Sequence, residues 1–215
     1  MGFFKTSLRL LLLALLASQT ACTNIRANQT TLPNKQLDVR SHLTQIASIR
    51  DFKIEGRLGV QSDKQGISGT VHWHHLKVSD EMNLYSPLGG KIAEILNDNN
   101  GVTLTTSNNQ VFKAQDPEAL TESTLGWRLP ITKLSDWIVG RPANGAISNV
   151  KWDDDGKLKK FNQEGWEISY LEYKESNQVV LPSKMNIRNS KLNLRLIIDR
   201  WELSSTQEAS SLNVN

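Results

Sequence analysis

Three histidines stand close together in this 215-residue chain, at His72, His74 and His75, and residues two apart on a strand share a face. Such a pair could grip a metal ion. A metal site needs further nitrogen, sulfur or carboxylate ligands, however, and none is placed beside them. The remaining histidine, His42, lies in a separate segment of helical character. The three are therefore read as outward-facing polar residues around a buried Trp73, and no metal is expected. Asp153-Asp154-Asp155-Gly156 has the outline of a calcium loop. With Gly156 at that loop's glycine, Lys151 falls on the first ligand position and Asn162 on the bidentate glutamate, so the match fails. The segment reads instead as an Asp-Gly hairpin turn. No nucleophile elbow, phosphate-binding loop, zinc-protease helix or paired cysteines occurs. No catalytic residue is assigned, and neither enzymatic activity nor a cofactor is expected, although a Ser-His-Asp set assembled in space is left open.

Cys22 is the one cysteine, so no disulfide can form within the chain. Before it come Lys5 and Arg9 with no acid, the apolar run Leu10–Ala17, and Ser18-Gln19-Thr20-Ala21. A basic start, a short apolar run and small residues ahead of a cut describe a secretory signal over 1–21. The run falls short of the about 20 apolar residues that span a bilayer. A cysteine at this place resembles the lipobox of bacterial lipoproteins. Ala21 matches the small residue before the cut, while Gln19 departs from the usual leucine. The resemblance implies removal of the leader, diacylation of the Cys22 thiol and acylation of the new N-terminus, and two chains suffice for a stable anchor. Thr23 stands where aspartate would retain an enterobacterial lipoprotein in the inner membrane, which implies an outer-membrane destination.

Loss of Lys5 and Arg9 with the leader reduces 25 basic residues to 23 against 22 acidic ones, a net charge of +1. No basic cluster survives that would suit nucleic acid. Residues 22–36 are polar and read as a flexible tether, 37–203 as one domain and 204–215 as a polar tail. Val39, Leu43, Ile46 and Ile49 have helical spacing, predicting a helix over 38–50. From Asp51 the period becomes two, giving strands over 52–61 and 67–74. Further strands are expected at 80–86, 91–97, 101–106 and 110–114, separated by turn-forming residues. Asp116-Pro117 opens a helix to about Leu125, and a second runs over 132–139. Strands resume at 149–153, 157–163, 164–173, 184–189 and 191–203, the last with a bulge near Asp199-Arg200 where the parity of its apolar residues changes. About eleven short strands and three helices predict an antiparallel meander that closes into a barrel or sandwich. The inward apolar residues suit lining a cavity as well as filling a core. Pro87-Leu88-Gly89-Gly90 is unusual for a hairpin tip, because a leucine stands between a proline and two glycines. It either folds back on the sheet or projects, and a projecting leucine on a membrane-anchored protein could touch lipid.

Several segments carry a resemblance through their order and spacing: Glu55-Gly56-Arg57-Leu58-Gly59-Val60, Tyr85-Ser86-Pro87-Leu88-Gly89, Gly101-Val102-Thr103-Leu104, Leu134-Ser135-Asp136-Trp137-Ile138-Val139-Gly140, Gly165-Trp166-Glu167-Ile168-Ser169-Tyr170 and Asp199-Arg200-Trp201. Over most of the mature length the chain resembles the LolB family, outer-membrane receptors of lipoprotein sorting. The resemblance implies a half-closed antiparallel β-barrel of eleven strands, with three helices as a lid over an apolar cavity. It also implies a protein, lipid-anchored through Cys22 and facing the periplasm, that accepts acylated lipoproteins from the periplasmic carrier LolA and inserts them among outer-membrane phospholipid. The projecting leucine that the family needs for insertion falls on Leu88. Strand parity and the need for a continuous apolar surface point to Leu58, Val60, Val71, Trp73, Met82 and Leu84 as lining of the acyl-chain cavity. A monomer is expected. The other reading is a structural lipoprotein with a filled core that docks protein partners in envelope assembly.

Overall fold

The computed structural model describes residues 34–62, 66–126 and 128–204. The signal over 1–21, Cys22, most of the tether and the tail from 205 lie outside the described residues. Pro33–Asn215 forms one compact unit that carries every described element and both apolar clusters, the anatomy of a domain that folds by itself.

Eleven strands form a single antiparallel sheet: β1 (Phe52–Ser62), β2 (Gly66–Leu76), β3 (Ser79–Tyr85), β4 (Lys91–Asp98), β5 (Gly101–Thr106), β6 (Val111–Ala114), β7 (Ile147–Trp152), β8 (Leu158–Gln163), β9 (Trp166–Ser176), β10 (Val179–Arg188) and β11 (Leu192–Leu203). Their order is β6-β5-β4-β3-β2-β1-β11-β10-β9-β8-β7. Every neighbour pair is a sequential hairpin except β1 with β11, which joins the first and last strands in the middle of the sheet. No ladder joins β6 to β7 among the described residues, so the sheet curls without closing. The connection between these two edges carries α2 (Pro117–Leu125) and α3 (Ile131–Ile138), while α1 (Asn34–Ala47) precedes β1.

Local chemistry accounts for most of the boundaries. Asp116 caps α2 by accepting from the Glu118 and Ala119 amides, Pro117 occupies the first turn, and Gly126 ends the helix at a φ of 81°. The expected bulge in β11 is present: Glu55 pairs with Arg200 and Gly56 with Ile198, leaving Asp199 unpaired, and beyond it Trp201 points inward. Gly56 is required there, since a Cβ would stand 2.3 Å from the Ile197 carbonyl oxygen. Three expectations are corrected. β10 begins at Val179 rather than 184, because β11 pairs only with Lys184–Arg188 and Pro182 lies where that partner is absent, its missing N–H costing no ladder bond. α1 runs over Asn34–Ala47 rather than 38–50, starting inside the expected tether. Its end is set by Arg141, whose guanidinium donates to the Ile46 and Ile49 carbonyls at 2.6 and 3.0 Å and so takes the place of a further helical turn. His75 faces inward, not outward: it shares the parity of Trp73, packs 4.8 Å from the Phe52 ring and meets Asp80 at 2.6 Å.

Inward residues of β8–β10 fill a solid core. Leu158, Phe161, Ile168, Leu181 and Met185 are fully buried, together with Trp137 and Ile138 of α3. Gln163, buried among them, accepts from the Trp137 indole at 2.8 Å and exchanges hydrogen bonds with the Ala143 backbone at 3.1 and 2.7 Å. Tyr170 donates to the Trp137 carbonyl and Tyr173 to that of Leu158, both at 2.7 Å. Burial pushes both phenols up, so they remain donors throughout the physiological range. The Gln163 and Tyr170 bonds, both to Trp137, hold α3 in one position.

α1 seats against the same half through Ile46 and His42, with Ile49 just beyond its end. The His42 imidazole is buried edge-on to Tyr173, and its Nε2 has no hydrogen-bond partner. Burial pushes its pKa below the ordinary value of 6.5, Lys157 lowers it further, and Asp153 acts in the opposite direction. The folded chain therefore binds this proton less readily than the unfolded one. Its stabilising effect is complete above about pH 6.5 and is lost as the pH falls below that value. We expect thermal stability to fall on acidification from about pH 8 to about pH 5, and His42→Leu to flatten that fall. Parallel melting curves for the two proteins across this range would remove His42 as the cause.

Candidate functional site

The other half of the sheet is hollow. Leu58, Val60, Val71, Trp73, Met82 and Leu84 all line one cavity of about 160 Å³. Ile54, Ile67, Ile92, Ala93, Ile95 and Leu104 extend the wall along β1, β2, β4 and β5, and Ile187, Leu194 and Leu196 close it on β10 and β11. The wall is almost wholly apolar; Asn83 is the one polar residue on it. Leu58, Met82, Leu84 and Ile95 are only partly buried, in contrast to the sealed residues of β8–β10. A dry cavity of roughly 150 Å³ accommodates a six-carbon ring, so this one has room for a short stretch of hydrocarbon at rest.

The roof is α3, whose Ile131, Leu134 and Ile138 face the cavity at helical spacing, with Leu129 two residues ahead of the helix. α3 lacks a side-chain cap of its own. Glu118 of α2 supplies one, accepting from the Thr132 amide at 3.0 Å and its hydroxyl at 2.7 Å. Thr121 accepts from the Leu129 amide at 3.0 Å. α2 is held in turn by Leu120, which packs with Val102 and Leu104 of β5. The far end of α3 is embedded in the solid core through Trp137. The near end carries the buried Ile131 and three hydrogen bonds to α2, two of them exposed.

The turn between β3 and β4 holds a leucine in solvent. Gly89 donates to the Ser86 carbonyl at 2.9 Å, Ser86 to the Gly90 carbonyl at 2.8 Å, and Gly90 to the Ser86 hydroxyl at 3.1 Å. Pro87 fixes the first central position, and the left-handed φ of 86° falls on Gly89, not on Leu88. With the backbone groups closed on each other, the Leu88 side chain has nothing to fold against and is 99% exposed. The fold-back alternative is therefore excluded.

Strand parity singled out six wall residues on β1–β3. The wall on β11 was also legible, since Leu192, Leu194 and Leu196 keep one parity. The α3 contribution follows from the spacing of Ile131, Leu134 and Ile138, but only once that helix is known to cross the hollow half. Among the described residues no group of three or more histidine, cysteine, aspartate or glutamate side chains could hold a metal, and no helix is long and apolar enough to cross a membrane.

Fold and site together define a class: an open antiparallel half-barrel built round an apolar chamber, roofed by a helix, with one apolar turn held out in water. The family model described as "Outer membrane lipoprotein LolB" matches residues 50–201, from the start of β1 almost to the end of β11. The outer-membrane lipoprotein LolB of Pseudomonas putida is 32% identical over 163 residues, covering 76% of this chain and 80% of that one. The proteins of the same name from Pseudomonas syringae pv. syringae and Stutzerimonas stutzeri are 33% and 31% identical over the same length, with 80% and 79% of their own chains covered. Among solved structures, a LolA superfamily protein from Nitrosomonas europaea aligns with a TM-score of 0.47 at 8% identity, covering 83% of this chain and 97% of its own. The chain belongs to the LolB family of outer-membrane lipoproteins.

Proposed function

We propose that the protein takes the acyl chains of a lipoprotein from the periplasmic carrier LolA into its cavity and releases them into the outer membrane, acting as a receptor and not as an enzyme. The observation that carries this reading is the pairing of an apolar chamber with a solvent-exposed leucine on a closed turn of the same sheet. The physics calls for both parts. Exposing an acyl chain to water costs about 0.8 kcal/mol per methylene, which reaches on the order of tens of kcal/mol for a multiply acylated protein. A chamber shields the chains continuously, and an apolar tip gives them a path into lipid. No nucleotide is needed if each acceptor binds the chains better than its donor does. A cavity of about 160 Å³ is small for whole acyl chains, so loading raises the near end of α3 while Trp137 keeps the far end in place. Cys22, which lies outside the described residues, is the lipid attachment site in this reading.

The test mixes LolA loaded with a lipidated peptide with Pro33–Asn215 and then adds liposomes. Transfer of the peptide to the domain, followed by its arrival in the liposomes, is the expected result. A domain that neither binds the peptide nor accepts it from LolA overturns the receptor reading. Mass spectrometry of the full chain extracted from membranes should find Cys22 acylated; an unmodified Cys22 in membrane-bound mature protein rules out the anchor.

A further inference from the structure

A groove of about 390 Å³ lies at the foot of the Leu88 turn, on the outer face of the sheet. Pro87 forms part of its rim, so the groove abuts the turn directly. Arg57, Gly59, Ser68, Thr70 and Arg195 line it, and Leu58, Gly69 and Ile197 make up the apolar remainder. Strand register sets them side by side: Gly59 of β1 lies between Arg195 of β11 and Ser68 of β2, and Arg57 lies beside Thr70. Gly59 makes the notch, because a Cβ there would meet nothing within 4 Å and only the missing side chain leaves the space open. Arg57 is held by Asp199 through hydrogen bonds of 2.8 and 3.1 Å. Arg195 donates to no acceptor among the described residues, and no carboxylate lines the groove. The groove therefore presents a free guanidinium, a second one fixed in place and two hydroxyls. An acceptor-rich anion satisfies such a set, and a phosphate oxygen pair matches the arginine fork.

Depth identifies the source of that phosphate. An apolar group inserted at a membrane surface reaches about 5–10 Å into the boundary between headgroups and acyl chains. If Leu88 stands at that depth, the groove beside Pro87 stands among the headgroups. We propose that this groove binds the phosphate of a phospholipid headgroup and thereby orients the protein on the outer membrane while Leu88 is inserted. The proposal rests on the membrane role of Leu88.

The experiment uses the lipid-free domain Pro33–Asn215 with two kinds of vesicle, one of the anionic phospholipid phosphatidylglycerol and one of a neutral, phosphate-free galactolipid. Wild-type domain should sediment with phospholipid vesicles about fivefold more tightly than with galactolipid vesicles, the effect of one arginine at a charged lipid surface. Arg195→Gln should erase that preference, and so should Gly59→Leu, which fills the notch on a backbone that accepts a side chain. Leu88→Glu should weaken binding to both vesicles alike. Equal binding of wild type to both vesicles overturns the groove and leaves the tip standing, provided Leu88→Glu still weakens it. Binding indifferent to Leu88→Glu overturns the tip reading and the proposal with it. Millimolar inorganic phosphate shifting the amide resonances of Gly59, Ser68 and Thr70, with no preference between vesicles, assigns the site to free phosphate and overturns the headgroup.

Discussion

Leu88→Glu should leave the domain as stable as wild type and fully able to load, yet unable to deliver. The side chain is 99% exposed and touches no other part of the fold, so replacing it changes stability by no more than about 0.5 kcal/mol. The turn is shaped by Pro87, Gly89 and the three hydrogen bonds through Ser86, none of which involves Leu88's side chain. The cavity wall lies on the inner face of the sheet, and Leu88 contributes nothing to it. What the substitution removes is the burial of a leucine in lipid, about 2 kcal/mol, and it adds a carboxylate that the interface must keep hydrated. Delivery to liposomes should therefore slow by about thirtyfold or more while cargo accumulates on the mutant, the factor following from that burial energy. Melting, uptake from LolA and liposome transfer are measured on the same preparation. A loss of stability by about 1–3 kcal/mol, with transfer per folded molecule unchanged, would show that Leu88 has a structural role and would end its role in delivery.

Much of this site was legible before any coordinates because two of its signals are local. Alternation in Phe52–Val60 and Val71–Trp73 sets which face each residue takes, and that assignment needs only the pleat of a strand. The turn itself is likewise encoded within a few residues, Ser86 to Gly90, but whether Leu88 folds back or projects was left open by them and is decided by its 99% exposure. Signals that depend on a partner element were lost. The first half of β10 was hidden by Pro182, which excludes a strand only where a neighbour needs its N–H, and β11 does not reach that far. The inward position of His75 follows from parity, but its Asp80 partner comes from the next strand and the Phe52 ring from the previous one. Depth was the largest gap. Leu58 and Phe161 are both inward-facing by pattern, yet one borders a cavity and the other is sealed. Ile131 and Leu134 of α3 border the same cavity as Leu58, whereas Phe161 packs beside Tyr170 in the half where the Trp137 indole is bonded to Gln163. No period within a strand carries that information.

The division into a solid half and a hollow half has a direct consequence for mutants. Phe161 is fully buried beside Tyr170, in the half that α3 closes with Trp137. Phe161→Ala should cost about 3–5 kcal/mol, because the surrounding residues are hydrogen-bonded in place and cannot collapse into the void. Ala93 sits on the cavity wall opposite Leu84. Ala93→Phe adds a ring to space that is already empty, so its burial offsets any local strain, and stability should stay within about 1 kcal/mol of wild type. The same ring occupies most of a 160 Å³ chamber, and uptake of a fluorescent apolar probe should fall to background. An added side chain in a filled core would instead force its neighbours apart and cost about 1–3 kcal/mol. Denaturant unfolding and probe titration on the two variants therefore test the chamber from opposite sides. If Ala93→Phe is destabilised like an overpacked core while probe uptake persists, the hydrocarbon does not enter between β4 and α3, and this cavity is not the proposed acyl-chain chamber.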